Sequence, residues 1–100
     1  MLKVITDKRV KDFLASLSEV DQGRVQGYIE LFEENGFRLP SQYLKKLESN
    51  LWELRPGNIR LLIGKAESVM VVVNAFKKKS QKTPRQEIKT AKRRLEEYKI

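Results

Sequence analysis

The chain has 100 residues, of which 40% are hydrophobic and 34% charged, with a formal net charge of +8 and neither cysteine nor histidine. This length and apolar share predict one domain over residues 1–100 with a modest core. The missing residue types exclude disulfides, thiolate or imidazole catalysis and an ordinary zinc site, so we expect no metal and no cofactor. The longest apolar run, 69–73, is too short to cross a membrane and the N-terminus lacks a signal-peptide core, so a cytoplasmic location is expected.

The positive charge is concentrated near the C-terminal end of the sequence. Residues 1–74 carry 11 Lys and Arg against 10 Asp and Glu, whereas residues 75–100 carry 10 against 3. A basic block of this kind is typical of proteins that bind a polyanion. The sequence therefore predicts nucleic acid or an acidic protein surface as a partner, and no membrane.

The first third of the sequence predicts a short strand and two amphipathic helices. The apolar start at 2–5 can form the strand, and Asp7 is placed to cap the first helix. Ser18 begins a second cap, and Asn35-Gly36 can end the second helix. The two helices predict an antiparallel hairpin. The apolar positions at helical spacing are Val10, Phe13, Leu14 and Leu17, then Val25, Tyr28, Ile29 and Phe32.

The middle of the sequence changes from helical spacing to alternation. Residues 37–50 predict a loop with one helical turn, because Pro40 interrupts the apolar pattern. A first strand begins at Leu51, a second covers Ile59–Lys65 and a third covers Val69–Phe76. Turn residues separate them, so the three strands predict an antiparallel meander to which the first strand of the chain can add.

A basic loop over 77–82 leads into a final helix. Thr83, Pro84 and Gln86 match an N-cap, a first-turn proline and a capping-box glutamine. The resulting element order is β-α-α-β-β-β-α, an α+β fold. The apolar stripe predicted for the last helix is Ile88, Ala91, Leu95 and Tyr98, and its exposed faces carry Lys89, Lys92, Arg93 and Arg94.

Several of these segments resemble the HigB-like branch of the RelE/ParE toxin–antitoxin superfamily, the branch of phage-derived addiction-module killer proteins. That branch has an "lWElR" strand, an arginine on the next strand and an "F-x-K-K-x-x-K-T-P-x-x-E-I-x-x-A" block, in this order. The corresponding residues here are Leu51–Arg55, then Arg60, then the segment from Phe76 to Ala91. The match spans nearly the whole chain.

The resemblance implies a RelE-like fold, in which a twisted antiparallel or mixed sheet of about four strands packs against an N-terminal helical hairpin and carries a basic C-terminal helix. It also implies the toxin of a type II pair, which cleaves mRNA on the 70S ribosome. A small antitoxin, often a helix-turn-helix protein, would neutralise it in a hetero-oligomer. Arg55 and Arg60 match the sheet arginines of the family, and Lys78, Lys79 and Lys82 match its basic loop.

The residue types present are sufficient for RNA cleavage without a metal. The 2′-OH of RNA attacks the adjacent phosphate once a base removes its proton and a cation stabilises the added charge. Arginines can hold the phosphate, and a crowded lysine or a carboxylate can act as the base. The predicted catalytic residues are Arg60, Lys78, Lys79, Arg55 and Glu53. The residues predicted to bind RNA and the ribosome are Lys77, Lys82, Arg85, Lys89, Lys92, Arg93 and Phe76.

Other interpretations stay open from the sequence. Arg55 and Glu53 can pair with each other on one strand face, and the lysine-rich loop can simply be solvated. Phe76 can close the core or stack on a base, and Tyr98 can be either the counterpart of a C-terminal tyrosine in related toxins or a core residue, with the apolar stripe favouring the core. Two other functions fit: a ParE-like toxin that inhibits DNA gyrase by binding, and a non-toxic basic nucleic-acid-binding module.

Overall fold

A computed structural model describes residues 1–99 and contains five strands, three α-helices and one 3-10 turn. The strands form one sheet in the order β1-β5-β4-β3-β2, in which β1 is parallel to β5 and all other neighbours are antiparallel. The α+β fold predicted from the sequence is confirmed. The elements are β1 (Val4–Thr6), α1 (Lys8–Ala15), α2 (Glu19–Asn35), the 3-10 turn (Gly36–Arg38), β2 (Leu44–Glu48), β3 (Leu51–Leu54), β4 (Ile59–Ala66), β5 (Val69–Lys77) and α3 (Arg85–Glu97).

The sheet has one strand more than predicted, because β2 occupies part of the segment that was expected to be a loop with one helical turn. Leu44 and Leu47 are three residues apart, a spacing that resembles a helix. In the strand they lie on opposite faces of the sheet, Leu44 beneath α2 and Leu47 beneath α3. A bulge between Lys46 and Glu48 further breaks the alternation. Tertiary pairing with β3 therefore decided the structure of this segment, and the helical turn lies earlier, at Gly36–Arg38.

Helices cover both faces of the sheet, and each face has its own core. One cluster joins α1 and α2 to inward residues such as Leu54, Leu61 and Val72. The other joins α3 to Leu62 and Val73 among others. This double coverage explains why β4 and β5 are apolar on both faces. Within residues 1–99, no helix has the length and apolar content that crossing a bilayer requires.

Two of the three predicted helix caps are confirmed. Asp7 accepts a hydrogen bond from the backbone N–H of Arg9 at 2.8 Å, and Ser18 accepts one from Asp21 at 3.1 Å. The third prediction is wrong in detail, because α3 begins at Arg85 with Pro84 in the N-cap position and has no side-chain cap. The hydroxyl of Thr83 instead donates a hydrogen bond to the buried carboxylate of Glu53.

Arg94 is also a correction, since the sequence placed it on an exposed face of the last helix. The structure shows it half-buried, with Nη1 donating a hydrogen bond to the carbonyl oxygen of Val73 at 3.0 Å. Val73 has no partner in β4, because the register between β4 and β5 shifts at this point and pairs Asn74 with Leu62 and Val72 with Ile63. The bond from Arg94 therefore supplies a partner for a backbone carbonyl of β5 where the ladder is irregular.

The close approach of α3 to the sheet depends on a glycine. A Cβ on Gly64 of β4 would lie 2.9 Å from the carbonyl oxygen of Asn50 and would collide with the side chain of Leu95. Leu95, 5% exposed, therefore packs directly over strand backbone. The absence of a side chain at this one position sets how deeply the helix sits.

The cap of α1 also fixes the end of α3. Asp7 is 3% exposed, and its carboxylate accepts hydrogen bonds from Nε and Nη2 of Arg9 at 2.9 and 2.8 Å and from the hydroxyl of Tyr98 at 2.7 Å. Arg9 also donates to Glu97 at 2.7 Å. The bonds from Arg9 hold the pKa of Asp7 well below its usual range. Burial, and then the bond to Asp7, raises the pKa of Tyr98 to about 12. Tyr98 therefore has a structural role, which agrees with the core position that the apolar stripe of α3 favoured.

Replacing Asp7 by Asn should lower the free energy of unfolding by about 1–3 kcal/mol, because Arg9 and Tyr98 lose a charged acceptor. The pKa of Asp7 is lower in the folded than in the unfolded state, so its contribution is present at neutral pH and is lost as the pH falls below about 4. Urea unfolding at pH 7 and pH 3 measures both effects. The control is Asp12→Asn, which removes the same charge from an exposed position of α1. Equal stability of the two variants at pH 7 would contradict the assignment.

Candidate active site

A buried carboxylate lies at the centre of the candidate site. Along β3, Trp52 and Leu54 face the α2 side of the sheet, as the alternation predicted, and Glu53 points to the α3 side. Glu53 is only 3% exposed. A carboxylate at this depth is stable only with positive or hydrogen-bonding partners, because burial without them costs several kcal/mol.

Two arginines supply positive charge to one oxygen of that carboxylate. Nε of Arg55 lies 3.4 Å from Oε1 of Glu53, and Nε of Arg60 lies 4.0 Å from the same atom. Arg60 is itself buried, and its Nη1 donates to the carbonyl oxygens of Gly57 at 2.7 Å and Ile59 at 3.0 Å. Burial lowers the pKa of the Arg60 guanidinium, the charge of Arg55 lowers it further, and Glu53 opposes the shift. The structure therefore brings together three of the five predicted catalytic residues.

The other oxygen of Glu53 binds the end of the basic segment, a name used here for residues 77–82. The hydroxyl of Thr83 donates to Oε2 of Glu53 at 2.5 Å. At the other end, the backbone N–H of Lys78 donates to the carbonyl oxygen of Asn58, in the turn between β3 and β4, at 2.7 Å. The segment is consequently fixed at both ends beside the two arginines. Its four lysine side chains, Lys77, Lys78, Lys79 and Lys82, are all exposed.

Four of the predicted cations line two grooves on the surface, two in each groove. One groove, of about 480 Å³, is lined by Lys77, Lys79, Phe13, Phe76, Pro84 and Glu87. The other, of about 250 Å³, lies between β2 and the start of α3 and is named here the β2–α3 groove. Its lining residues are Lys45, Lys46, Leu47, Glu48, Glu53, Gln81, Lys82, Thr83, Arg85 and Ile88.

The basic residues predicted on α3 differ in their surroundings. Lys92 lies 3.0 Å and Arg85 lies 3.5 Å from the two carboxylate oxygens of Glu48 on β2. Lys89 and Arg93 are exposed on other faces of the helix. Because the single negative charge of Glu48 is shared by two of these cations, the positive potential of α3 is weaker beside β2 than the sequence count suggests.

Two interpretations left open by the sequence are decided by the structure. Arg55 and Glu53 do pair along their strand. Phe76 is 9% exposed and packs in the cluster under α3, so it closes the core. Its role as an RNA-binding residue stays a prediction, since Phe76 also lines the groove of Lys77 and Lys79.

The sequence did not reveal Thr83, Lys45 or Glu48 as members of this region. Thr83 precedes a proline and a glutamine three residues on, which is the pattern of a cap, and nothing local signals its distant carboxylate partner. Lys45 and Glu48 belong to β2, and their positions follow from the pairing of Lys45 with Glu53. The signal that could have found them is the alternation of β2, which the bulge obscures.

Comparisons with known proteins address the family and the fold. A model of the family described as "Phage derived protein Gp49-like (DUF891)" matches residues 12–96. The structure is similar to a chain in the crystal structure of the archaeal RelE–RelB complex from Pyrococcus horikoshii OT3, with a TM-score of 0.65 and 20% sequence identity, covering 81% of this chain and 98% of that chain. No curated protein matches the sequence. The RelE-like fold expected from the resemblance is therefore confirmed.

Thr83→Val should loosen the basic segment, because valine keeps the shape of threonine and removes the donor to Glu53. The lost bond is worth about 1–2 kcal/mol, which corresponds to roughly 5–30-fold more frequent local opening. Limited trypsin digestion measures this opening, since trypsin cuts after the exposed lysines of the segment. Thr83→Ser keeps the hydroxyl and should digest as slowly as the wild type. Equal digestion rates for the valine and serine variants would show that the bond does not fix the segment.

Proposed function

The chain belongs to the phage-derived Gp49-like protein family, and from that premise we propose that it is the toxin of a toxin–antitoxin pair. We propose further that it is a metal-independent endoribonuclease that cleaves mRNA on the 70S ribosome. The RelE-like fold supports this proposal. The sequence features that resemble HigB-like toxins, Leu51–Arg55 and the block from Phe76 to Ala91, support it as well.

The observation that carries the proposal is the placement of Arg55 and Arg60 on one carboxylate oxygen of Glu53, next to a segment with four exposed lysines. Guanidinium groups fixed in this way need little reorganisation to bind a phosphate. A protein that only needs positive charge for binding gains nothing from burying an arginine beside a carboxylate. The arrangement therefore favours stabilisation of a charge that develops during a reaction.

The reaction follows from the chemistry of RNA. The amine nitrogen of one lysine of the basic segment takes the proton of a 2′-OH, and the 2′-oxygen forms a bond to the adjacent phosphorus. The bond from phosphorus to the 5′-oxygen breaks, which leaves a 2′,3′-cyclic phosphate and an oxygen that takes a proton from a second lysine. Arg55 and Arg60 stabilise the extra negative charge on the phosphoryl oxygens in the transition state. Lys78 and Lys79 are the proposed lysines.

Glu53 acts in this mechanism as a positioning residue. Its Oε1 faces the two arginines at 3.4 and 4.0 Å, its Oε2 accepts the hydrogen bond of Thr83, and the residue is only 3% exposed, so a substrate proton reaches it less readily than it reaches the exposed lysines. A carboxylate in these contacts orients the guanidinium groups and offsets part of their charge. The base is accordingly assigned to the lysines, which are exposed to the substrate.

The remaining cations and partners follow from charge. Lys77, Lys82, Lys89 and Arg93 are exposed and would hold ribosomal RNA through its phosphates, with no sequence preference. Arg85 and Lys92 would join them once Glu48 is displaced by phosphate. The cognate antitoxin, a small helix-turn-helix protein, would neutralise this basic face in a hetero-oligomer. This assignment places the protein in the cytoplasm with the ribosome.

Cleavage in cells tests the proposed function. Wild type, Arg55→Ala, Arg60→Ala and Lys78→Ala are induced in growing cells, and new mRNA 5′ ends are mapped with and without a block of translation. We expect cuts inside translated frames that disappear when translation is blocked. Loss of one arginine should reduce cutting about 10²–10³-fold and loss of a lysine base about 10²–10⁴-fold.

The controls separate function from folding. Lys11→Ala removes an exposed lysine from α1 and should cut like the wild type. Thermal unfolding of each purified variant identifies any loss due to instability, which is expected first for the buried Arg60 and for Arg55, because both compensate the buried Glu53. Growth arrest with intact mRNA would contradict the nuclease and favour inhibition of gyrase. Absence of any arrest would favour a non-toxic nucleic-acid-binding module.

A further inference from the structure

The β2–α3 groove is not accounted for by the proposed reaction. It lies between β2 and the first turn of α3, beside the Glu53 carboxylate, and has a volume of about 250 Å³. Two apolar residues line it, Leu47 from β2 and Ile88 from α3, and both pack in the cluster beneath the helix. The groove therefore offers an apolar surface at the edge of a polar site.

The charges around the groove are mainly positive. Lys45 is the cross-strand partner of Glu53, so both side chains lie on the α3 side of the sheet. Glu53 already contacts Arg55, Arg60 and Thr83, and within residues 1–99 Lys45 makes no ion pair. Lys82, which also lines the groove, likewise makes no ion pair within residues 1–99.

Arg85 and Lys46 are the other two cations of the lining. Arg85 is paired at 3.5 Å to Glu48, but its side chain is 75% exposed, so a screened contact of this length holds it weakly. Gln81 also lines the groove and carries both a donor and an acceptor. Four cations, two carboxylates and one amide thus surround an apolar patch.

This combination matches one unpaired nucleotide of an RNA strand. A base has a flat apolar face and hydrogen-bonding edges, and its phosphate is an anion; a base enters such a groove only when it is not paired in a duplex. We propose that the β2–α3 groove holds one unpaired nucleotide of a bound RNA strand, with the base on Leu47 and Ile88, its edge at Gln81 and its phosphate between Lys45 and Lys82. This proposal rests on the proposed RNA substrate but does not require cleavage.

Lys65 provides a matched control for Lys45. Both lysines are exposed and each lies on a strand of the sheet, but Lys65 belongs to β4, pairs with Met70 of β5 and lines neither of the two grooves. Removing either charge changes the net charge of the protein equally. Of the two, only Lys45 lines the β2–α3 groove.

Binding of single-stranded RNA hexamers (A₆, C₆, G₆ and U₆) tests the inference by fluorescence anisotropy and by NMR of labelled methyl and amide groups. We expect the signals of Leu47, Ile88 and Gln81 to shift on titration. Lys45→Gln should weaken binding about 5–10-fold and reduce the salt slope by about 0.7, the value for one phosphate contact on a single strand. Lys65→Gln should bind within about twofold of wild type.

Three results would overturn the inference: unchanged Leu47 and Ile88 signals at saturating RNA, equal losses for the two lysine variants, or equally tight binding of a hexaglutamate peptide at the same residues. The last result would identify an acidic protein segment as the occupant. Binding with the expected Lys45 dependence by a protein that leaves mRNA intact in cells would keep the groove and reject the nuclease. Cleavage in cells without RNA binding in the groove would keep the nuclease and reject the groove.

Discussion

A carboxylate removed from water must be compensated, and the position of Glu53 imposes that requirement on three separate parts of the chain. Arg55 comes from the end of its own strand, Arg60 from the neighbouring strand and Thr83 from the segment before α3. The two ion pairs are long and weak, whereas the hydrogen bond from Thr83 is short and charge-assisted. Together they fix where two guanidinium groups lie and where a lysine-rich segment ends, so one acidic residue organises a strongly basic surface.

The candidate site combines fixed and mobile cations. Arg60 is buried and held by two backbone carbonyl oxygens, whereas the lysines of the basic segment are exposed, with only their backbone anchored at the two ends. Fixed guanidinium groups lose little entropy when they bind a phosphate. Exposed lysines lose more entropy when they bind a phosphate. Their side chains can, however, follow a proton that moves during the reaction. The two types therefore suit the roles of charge stabilisation and proton transfer.

Local signals were sufficient to predict most of the fold. Helical spacing gave α1 and α2, alternation gave β3, and the turn residues gave the hairpin that leads to β4. The strand β2 was not predicted, because a bulge and an exposed edge position weaken its alternation. Its structure is set by pairing with β3. The role of Thr83 was not predicted for a related reason. Its local sequence has the pattern of a helix cap, and its actual partner, Glu53, is 30 residues away in sequence. The residue types of the site were thus readable, and their mutual contacts were not.

The bond between Asp7 and Tyr98 spans 91 positions of the chain. Contacts of such long sequence separation form late in folding, because the intervening chain must first lose its freedom. During synthesis the N-terminal part of the chain emerges first, so α1 gains its last stabilising contact only after α3 has been synthesised. Shortened products that lack the final helix would leave the second face of the sheet uncovered and Asp7 without Tyr98. A truncated or nicked chain of this protein should thus be a substrate for proteolysis rather than a weaker form of the same molecule.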